Sequence, residues 1–388
     1  MKSMSRHTTW LVPVFGFVSM LAACSRGTGA ADGPSGSGAT VTLVLNTEVL
    51  GSARSGAAGG FPDKEKMKTL RIVVLHPDGT VEHNRFLDFG EVMQTECTQL
   101  VEVKRNEVKS VYLIANEGSV PGLDRMELDD YVQGAAGFKD KADNLSFVPD
   151  YTDRSIPMSS VYEVAIGDKS KECRLCLVRT ATKFTFRFKN MRSGAVAVNS
   201  IAVSDIARST FLMPRKKNPM MTFEEADGSR SELFWIDWLK RVADESLETP
   251  DDKELADKRG WITDYDIPAG AVSDSVVVAA PADFRVAGLV YDMGVPKPGE
   301  AVYPVFYLPE SKSLKEPGTG AYGEQAYTMA FELTDDNNAK RKFSRPFDNL
   351  KALFRNTHVV VDVTFLEKGV QVDVIPYSEV ILTPEFGL

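Results

Sequence analysis

The sequence has few of the residues from which catalytic and metal sites are usually built. It holds only four cysteines and four histidines among 388 residues. Zinc sites need about four ligands, and the pair Cys173 and Cys176 has no second pair to complete such a set. G-x-S-x-G, H-E-x-x-H and P-loop motifs are all missing. We therefore expect no metal, no cofactor and no enzyme activity.

The sequence also lacks a basic block and a long apolar run. Its formal charge of −9 argues against nucleic acid as a partner. The longest apolar stretch covers residues 10–23 and contains Pro13, Gly16 and Ser19. A bilayer-spanning helix needs about 20 apolar residues, so this stretch is too short to span a membrane.

The N-terminus instead has the pattern of an export signal. Lys2 and Arg6 precede the apolar stretch, which ends Leu21-Ala22-Ala23-Cys24. This ending resembles the lipobox of bacterial lipoproteins, in which the cysteine thiol receives a diacylglycerol. We predict a signal peptide over residues 1–23, lipidation of Cys24, and a Gly/Ser-rich tether over residues 24–38.

The remaining cysteines are Cys97, Cys173 and Cys176. Their odd number allows either three buried thiols or one disulfide to Cys97. A redox role for the Cys-x-x-Cys pair is disfavoured, because such motifs usually open a helix and the surrounding residues have the pattern of a strand.

Strand patterns dominate the rest of the chain. In residues 39–47, Val41, Leu43 and Leu45 fall on one face and polar residues on the other. Further strands are predicted at 70–75, 108–115, 182–188, 275–280, 302–308, 327–333 and 359–365. One helix is predicted at 230–243, from a four-residue apolar period and a capping box formed by Ser229 and Glu232.

This pattern predicts a mostly-β chain with a few short helices. We expect two tandem β-sandwich domains of the transthyretin-like or immunoglobulin-like kind, over residues 39–177 and 178–388.

Several stretches match one family in order. They are the lipobox and tether, the strands ATVTLVLNTE and LRIVVLHPDG, the segment VYLIANEG, Arg179-Thr-Ala-Thr-Lys, and Phe354-Arg-Asn-Thr-His before VVVDVTF. In this series the chain resembles the fimbrillins of Bacteroidia-type (type V) pili, and the resemblance covers nearly all of the chain after Cys24.

The resemblance implies a mechanism. In this family a lipoprotein precursor reaches the cell outer membrane and a trypsin-like protease cuts after Arg or Lys. The cut releases the lipid and the first strand, and a C-terminal strand from another subunit fills the groove. The implied partners are other pilus subunits, a membrane before cleavage, and the protease. Strand addition of this head-to-tail kind produces a filament.

Two segments fit this mechanism. Arg54 is the only basic residue between Arg26 and Lys64 and is followed by a Gly/Ala-rich run, so we predict maturation between Arg54 and Ser55. An ordinary flexible loop is the alternative reading of this stretch.

The C-terminal segment 377–388 is the predicted donor strand. Its apolar residues Val380, Leu382, Phe386 and Leu388 share one parity. Ile381 departs from the pattern, and Pro384 cannot donate to a ladder. The alternative is a last strand packed permanently in its own domain.

Other functions stay open at this level. Within a pilus the chain can be a stalk, tip or anchor subunit. A surface lipoprotein that binds glycans predicts a polar, aromatic-lined pocket. An enzyme built from distant carboxylates predicts clustered and strongly perturbed titratable groups.

Overall fold

A computed structural model describes residues 39–50, 61–123, 125–214, 220–224, 230–234, 274–312, 327–347, 350 and 352–375. Within these residues most of the chain is β-strand, and the helices are short. No helix in this part of the chain has the length and apolar character needed to cross a membrane.

The described residues of the first half form eight strands, two α-helices and two short 3-10 helices, Asp63–Glu65 and Glu117–Ser119. Alternating or continuously apolar sequences form the long strands, and turn residues such as Pro77-Asp78-Gly79 separate them. The strands are β1 (Thr40–Val49), β2 (Thr69–Leu75), β3 (Val81–Asp88), β4 (Glu96–Lys104), β5 (Glu107–Ala115), β6 (Ser146–Phe147), β7 (Met158–Ile166) and β8 (Lys171–Arg179); the α-helices are α1 (Arg125–Asp129) and α2 (Phe138–Asn144).

Seven of these strands pair in the order β3-β2-β5-β7-β8-β1-β4. The ladder between β7 and β8 has only two residue pairs, so the layer divides there into a four-stranded part and the three-stranded part β8-β1-β4. Inward side chains from both parts meet in one apolar cluster, which includes Leu43, Ile72, Val101, Leu113 and Leu177. This arrangement is a β-sandwich. The opposite face of β2 and β5 packs against α1 and α2.

The second half begins directly after β8 and contributes seventeen described strands. They are β9 (Ala181–Asn190), β10 (Val196–Ile206), β11 (Thr210–Phe211), β12 (Met220–Glu224), β13 (Arg230–Phe234), β14 (Asp274–Ala279), β15 (Arg285–Val286), β16 (Val290–Asp292), β17 (Val295–Lys297), β18 (Gly299–Val302), β19 (Phe306–Pro309), β20 (Ser311–Lys312), β21 (Thr328–Thr334), β22 (Lys340–Pro346), β23 (Ala352–Leu353), β24 (His358–Leu366) and β25 (Gly369–Ile375).

Two sheets build the second sandwich. One has the order β14-β10-β21-β22, with β15 beside β10, and the other has the order β18-β9-β24-β25, with β19 beside β9. The inward rings of Phe184, Phe186 and Phe188 on β9 are buried, and those of Phe186 and Phe188 contact Phe331 from the opposite sheet. Alternation along β9 therefore faces the core as the sequence predicts.

The prediction of a mostly-β chain built from β-sandwiches is confirmed. The predicted helix at 230–243 is wrong over its first turn, because Arg230–Phe234 is a strand paired with β12; residues 235–243 lie outside the described residues. Most buried apolar side chains of the two halves form separate clusters, although residues from Ala39 onward form one compact unit. The boundary at residue 177 stays a prediction.

Candidate functional site: the first strand and its neighbours

The residues predicted for lipidation, maturation and strand donation are not among those that the structure describes. They are Cys24, Arg54, Ser55, Val380, Leu382, Phe386 and Leu388. The strand that maturation at Arg54 would release, β1, is fully described. The candidate site is therefore the place that β1 occupies.

β1 is the central strand of the three-stranded part of the first sandwich. It pairs antiparallel with β4 over nine residue pairs, from Thr40 with Lys104 to Glu48 with Glu96. On its other side it pairs in parallel with β8 over seven pairs, from Leu43 to Val49. Removing β1 would leave β4 and β8 as the two walls of a groove, each with a row of unpaired backbone groups.

The inward side chains of β1 fill this place. Leu43, Leu45, Thr47 and Val49 are each at most 1% exposed, and Val41 packs against the same cluster with partial exposure. Burial of three such aliphatic side chains contributes about 1.5–3 kcal/mol each. The outward side chains are polar apart from Val44, as expected for a strand with one solvated face.

The end of β1 is fixed by Arg179, the last residue of β8. Leu50 N–H donates to the Leu177 carbonyl at 3.0 Å, and Arg179 Nη1 donates to the Leu50 carbonyl at 3.1 Å. The guanidinium lies over the Phe61 ring at 4.8 Å. The buried Arg179 guanidinium therefore contacts both Leu50 and Phe61, the residues on either side of the segment predicted to be cut.

Side chains from β3 cover the outer edge of β4. Arg85 donates to the Leu100 carbonyl at 2.8 Å, His83 Nε2 lies 2.5 Å from the Glu102 carbonyl, and Lys104 N–H donates to Glu82 at 2.6 Å. These contacts satisfy backbone groups that point away from β1, so β4 keeps attachments to the sandwich that do not depend on β1.

A tyrosine makes the equivalent attachment for β8. Tyr162 on β7 donates its hydroxyl to the Cys176 carbonyl at 3.0 Å and accepts from Cys176 N–H at 2.8 Å. The hydroxyl thus takes the place of backbone hydrogen bonds between β7 and β8, where these two strands diverge. Both walls of the groove are consequently held from outside.

The cysteines flank β1 rather than form a redox pair. Cys97 lies opposite Thr47 on β4, and Cys173 lies opposite Leu45 on β8. Burial raises the pKa of both thiols. Cys176 points to the other face, where its thiol contacts Glu48 at 3.2 Å. None of these three residues is in a disulfide; Cys176 is buried, whereas Cys97 and Cys173 are half-buried.

The sequence motifs of the fimbrillin resemblance come together near the end of β1. Arg179 Nη1 donates to Asn356 Oδ1 at 2.9 Å, although the two residues are 177 positions apart. Lys183 and Arg179 both pair with the buried Glu65, at 2.9 and 3.3 Å. These contacts lower the pKa of the Glu65 carboxyl against the opposing effect of its burial.

Two further motif residues have structural roles of the same kind. Arg355 is buried, pairs with Glu310 and donates to the Leu212 carbonyl at 3.0 Å. Asn116 takes a left-handed conformation (φ 59°), and its amide donates to the Lys66 and Ile156 carbonyls. The motifs marked these positions, whereas their contacts were not predictable.

Strongly shifted titratable groups are held in ion pairs and hydrogen bonds. Hydrogen bonds from Lys104, Lys109 and His76 lower the pKa of Glu107 to about 2. The Lys109 ammonium is fully buried and also pairs with Glu82 at 2.8 Å. Within the described ranges, no three His, Cys, Asp or Glu side chains are grouped so as to hold a metal ion.

A cavity of about 460 Å³ is lined by residues of both halves of the chain, among them Tyr151, Tyr307 and Val278. The Tyr151 hydroxyl donates to the Thr180 carbonyl at 2.9 Å, and the Tyr307 hydroxyl donates to Glu65 at 2.5 Å. Both rings are 7% exposed. Neither therefore presents an open face on which a sugar can stack.

Comparison with known proteins returns solved structures only. No protein-family model and no curated protein matches the chain. The tip fimbrial protein Mfa3 from Porphyromonas gingivalis, with a C-terminal truncation, has 10% identity and a TM-score of 0.49 and covers 88% of this chain and 100% of its own. A fimbrial assembly protein from Parabacteroides distasonis has 7% identity and a TM-score of 0.42, covering 87% and 98%.

The fimbrial anchor protein Mfa2 from Porphyromonas gingivalis is also similar, with 8% identity and a TM-score of 0.36, covering 88% of this chain and 99% of its own. All three of these solved structures are of fimbrial proteins.

Proposed function

We propose that this protein is a structural subunit of a surface fimbria that supports cell adhesion. It is exported as a lipoprotein to the cell outer membrane, matured by a protease and polymerised by exchange of a strand between subunits. The observation that carries the proposal is the position of β1, which completes the first sandwich from a central place between β4 and β8.

The first part of the proposal is the release of β1. The segment after Leu50 contains Arg54 and Ser55, and a cut there separates β1 from every later strand. The contacts that then hold β1 include its two ladders, its inward side chains, the side-chain contacts of Thr42 and Glu48, and the Arg179 bond to Leu50. Every one of these is non-covalent, so another strand can replace it.

The second part is the incoming strand. Segment 377–388 of another copy, or of a related subunit, supplies Val380, Leu382, Phe386 and Leu388 to the inward face. Burying four such side chains contributes about 6–12 kcal/mol before the loss of chain entropy. Ladder bonds to β4 and β8 hold the backbone of the incoming strand.

Maturation tests the first part. We expect an Arg54→Ala chain to stay full length and monomeric on the cell surface, as judged by mass spectrometry and electron microscopy. Arg26→Ala is the matched control, because a cut after Arg26 removes the lipid but keeps β1. Normal filaments from Arg54→Ala would exclude this cleavage site.

Truncation after Tyr377 tests the second part. The last described strand, β25, ends at Ile375, so every described strand is retained. We expect a folded, exported chain that does not polymerise. Filaments from the truncated chain, or its failure to fold, would contradict the donor-strand assignment.

N-terminal sequencing of the surface-assembled protein separates the roles within a pilus. A stalk or tip subunit begins at Ser55, whereas an anchor keeps β1 and the lipid on Cys24.

A further inference from the structure

One inward residue of β1 is poorly matched to its surroundings. Thr47 is 1% exposed and points into the apolar cluster between β4 and β8. Its neighbours across the two ladders are Cys97 and Leu175. Its hydroxyl has no hydrogen-bond partner among the described residues.

A buried threonine on the central strand of the second sandwich differs. Thr182 on β9 is also buried, and its hydroxyl donates to the Phe354 carbonyl at 2.7 Å. Three further buried threonines, Thr180, Thr210 and Thr357, likewise donate their hydroxyls. The position of Thr47 therefore carries a penalty that these threonines avoid.

The cost of the unpartnered hydroxyl belongs to β1, because Thr47 is a residue of that strand and not of the groove walls. A desolvated hydroxyl without a partner weakens the binding of its strand by about tenfold or more. A strand with an aliphatic side chain of the same shape at this position loses nothing and keeps the packing. The groove itself is lined by apolar side chains, so it discriminates in favour of that strand.

We propose that Thr47 lowers the affinity of β1 for the groove between β4 and β8. The groove then favours an incoming strand with an aliphatic or aromatic side chain at this position. This inference rests on the proposed strand exchange. It also specifies the partner as an extended segment that is apolar at every inward position from Leu43 to Val49. The apolar parity of segment 377–388 has no hydroxyl from Val380 onward.

A competition experiment tests the inference on the full chain. A specific protease site is placed within residues 51–60 and cut, so that β1 is held only by its contacts. Two labelled peptides of residues 39–50, one natural and one with Val in place of Thr47, then compete for the groove, and fluorescence anisotropy measures their uptake. We expect the valine peptide to bind about tenfold more tightly, which equals about 1.4 kcal/mol.

The matched control changes the same residue type on the outward face of the same strand. Thr42 donates its hydroxyl to Glu102 at 2.7 Å, so a peptide with Val in place of Thr42 should gain nothing. Equal affinity of the natural and the Thr47→Val peptides would overturn the inference and leave strand exchange intact.

A second measurement keeps the two proposals distinct. In the uncut chain, Thr47→Val should raise Tm by about 2–4 °C, and Thr42→Val should not. If no peptide enters the cut chain, the exchange groove is wrong. If Tm fails to rise with Thr47→Val, the assignment of Thr47 is wrong whatever the peptides do.

Discussion

β1 and β9 occupy the same place in their two sandwiches. Each pairs in parallel with a strand that lies far along the chain, β8 for β1 and β24 for β9, over seven and eight residue pairs. Each pairs antiparallel on its other side, β1 with β4 and β9 with β18 and β19. The pairing scheme alone therefore does not distinguish the two strands.

Their inward faces differ. β9 presents three stacked phenylalanine rings, with centroids 6.4 Å apart, and its buried Thr182 is hydrogen-bonded. β1 presents aliphatic side chains and the unpartnered Thr47. Aromatic side chains bury more area each and gain from ring contacts, so β9 is held more firmly.

Their covalent connections differ as well. Only Thr180 separates β8 from β9, so β9 is tied at its start to a strand of the first sandwich. β1 is followed instead by the segment that contains Arg54. Under the proposed exchange, β1 therefore differs from β9 in having both a weaker inward face and a connection that contains the predicted cleavage site.

The largest expected effect on stability comes from a substitution in β9, the more firmly held strand of the two. Phe186→Ala should lower the free energy of unfolding by about 3–5 kcal/mol, because the fully buried ring contacts Phe184, Phe188, Phe306 and Phe331. Urea denaturation followed by circular dichroism measures this.

Leu45→Ala is the counterpart in β1. It should also destabilise the uncut chain, by about 2–5 kcal/mol. Only Leu45→Ala should speed the release of β1 after a cut within residues 51–60. Equal acceleration by Phe186→Ala would show that the two strands are not independently held.

A smaller effect is a pH dependence of stability that His358 gives to the second sandwich. His358 on β24 is 8% exposed and accepts from or donates to the Thr185 hydroxyl on β9 at 2.9 Å. Burial, together with Lys183 and Arg187, lowers its pKa from 6.5 to about 4, and Glu65 opposes this. The folded state therefore keeps His358 neutral at pH values where the unfolded chain binds a proton.

The sign follows from this difference. The contribution of His358 to the free energy of unfolding is complete above pH 6.5 and is lost as the pH falls from 6.5 towards 4. Between pH 7 and 4.5 the loss should amount to about 2–3 kcal/mol. His358→Gln should remove this part of the pH dependence, measured as the difference between the two proteins in urea. Parallel pH profiles would contradict it.

The smallest effect concerns the wall of the β1 groove. Tyr162→Phe removes the hydroxyl that joins β7 to Cys176, at a cost of about 1–2 kcal/mol. Amide hydrogen exchange should accelerate in β8. Tyr291→Phe, at a residue that is 71% exposed, is the matched control. Unchanged exchange at Cys176 would show that the tyrosine does not hold this wall.

Local patterns predicted the strands well, because burial on one face imposes alternation. The predicted strand 39–47 became β1, and 182–188 became β9. The helix prediction failed over Arg230–Phe234, because a segment this short does not let apolar spacing separate a turn of helix from a strand. Pairing with β12 then decided its conformation.

The candidate site was less predictable. The inward face of β1 follows from its sequence, whereas the Arg179 contact with Asn356 joins residues far apart in the chain. No periodicity reports such a contact. The same holds for Tyr162, which occupies a gap between strands that exists only in the assembled sheet.

The parallel pairing of β1 with β8 also has a consequence for the order of folding. Glu48 and its partner Cys176 are separated by 128 positions in the sequence. This ladder therefore cannot form until the intervening residues have been synthesised and brought together. Such long loops slow folding and leave an apolar strand without its partner in the meantime. β1, the first of the described strands to be synthesised, is thus among the last to be enclosed. Under the proposed maturation, this late-forming ladder is the one that opens again.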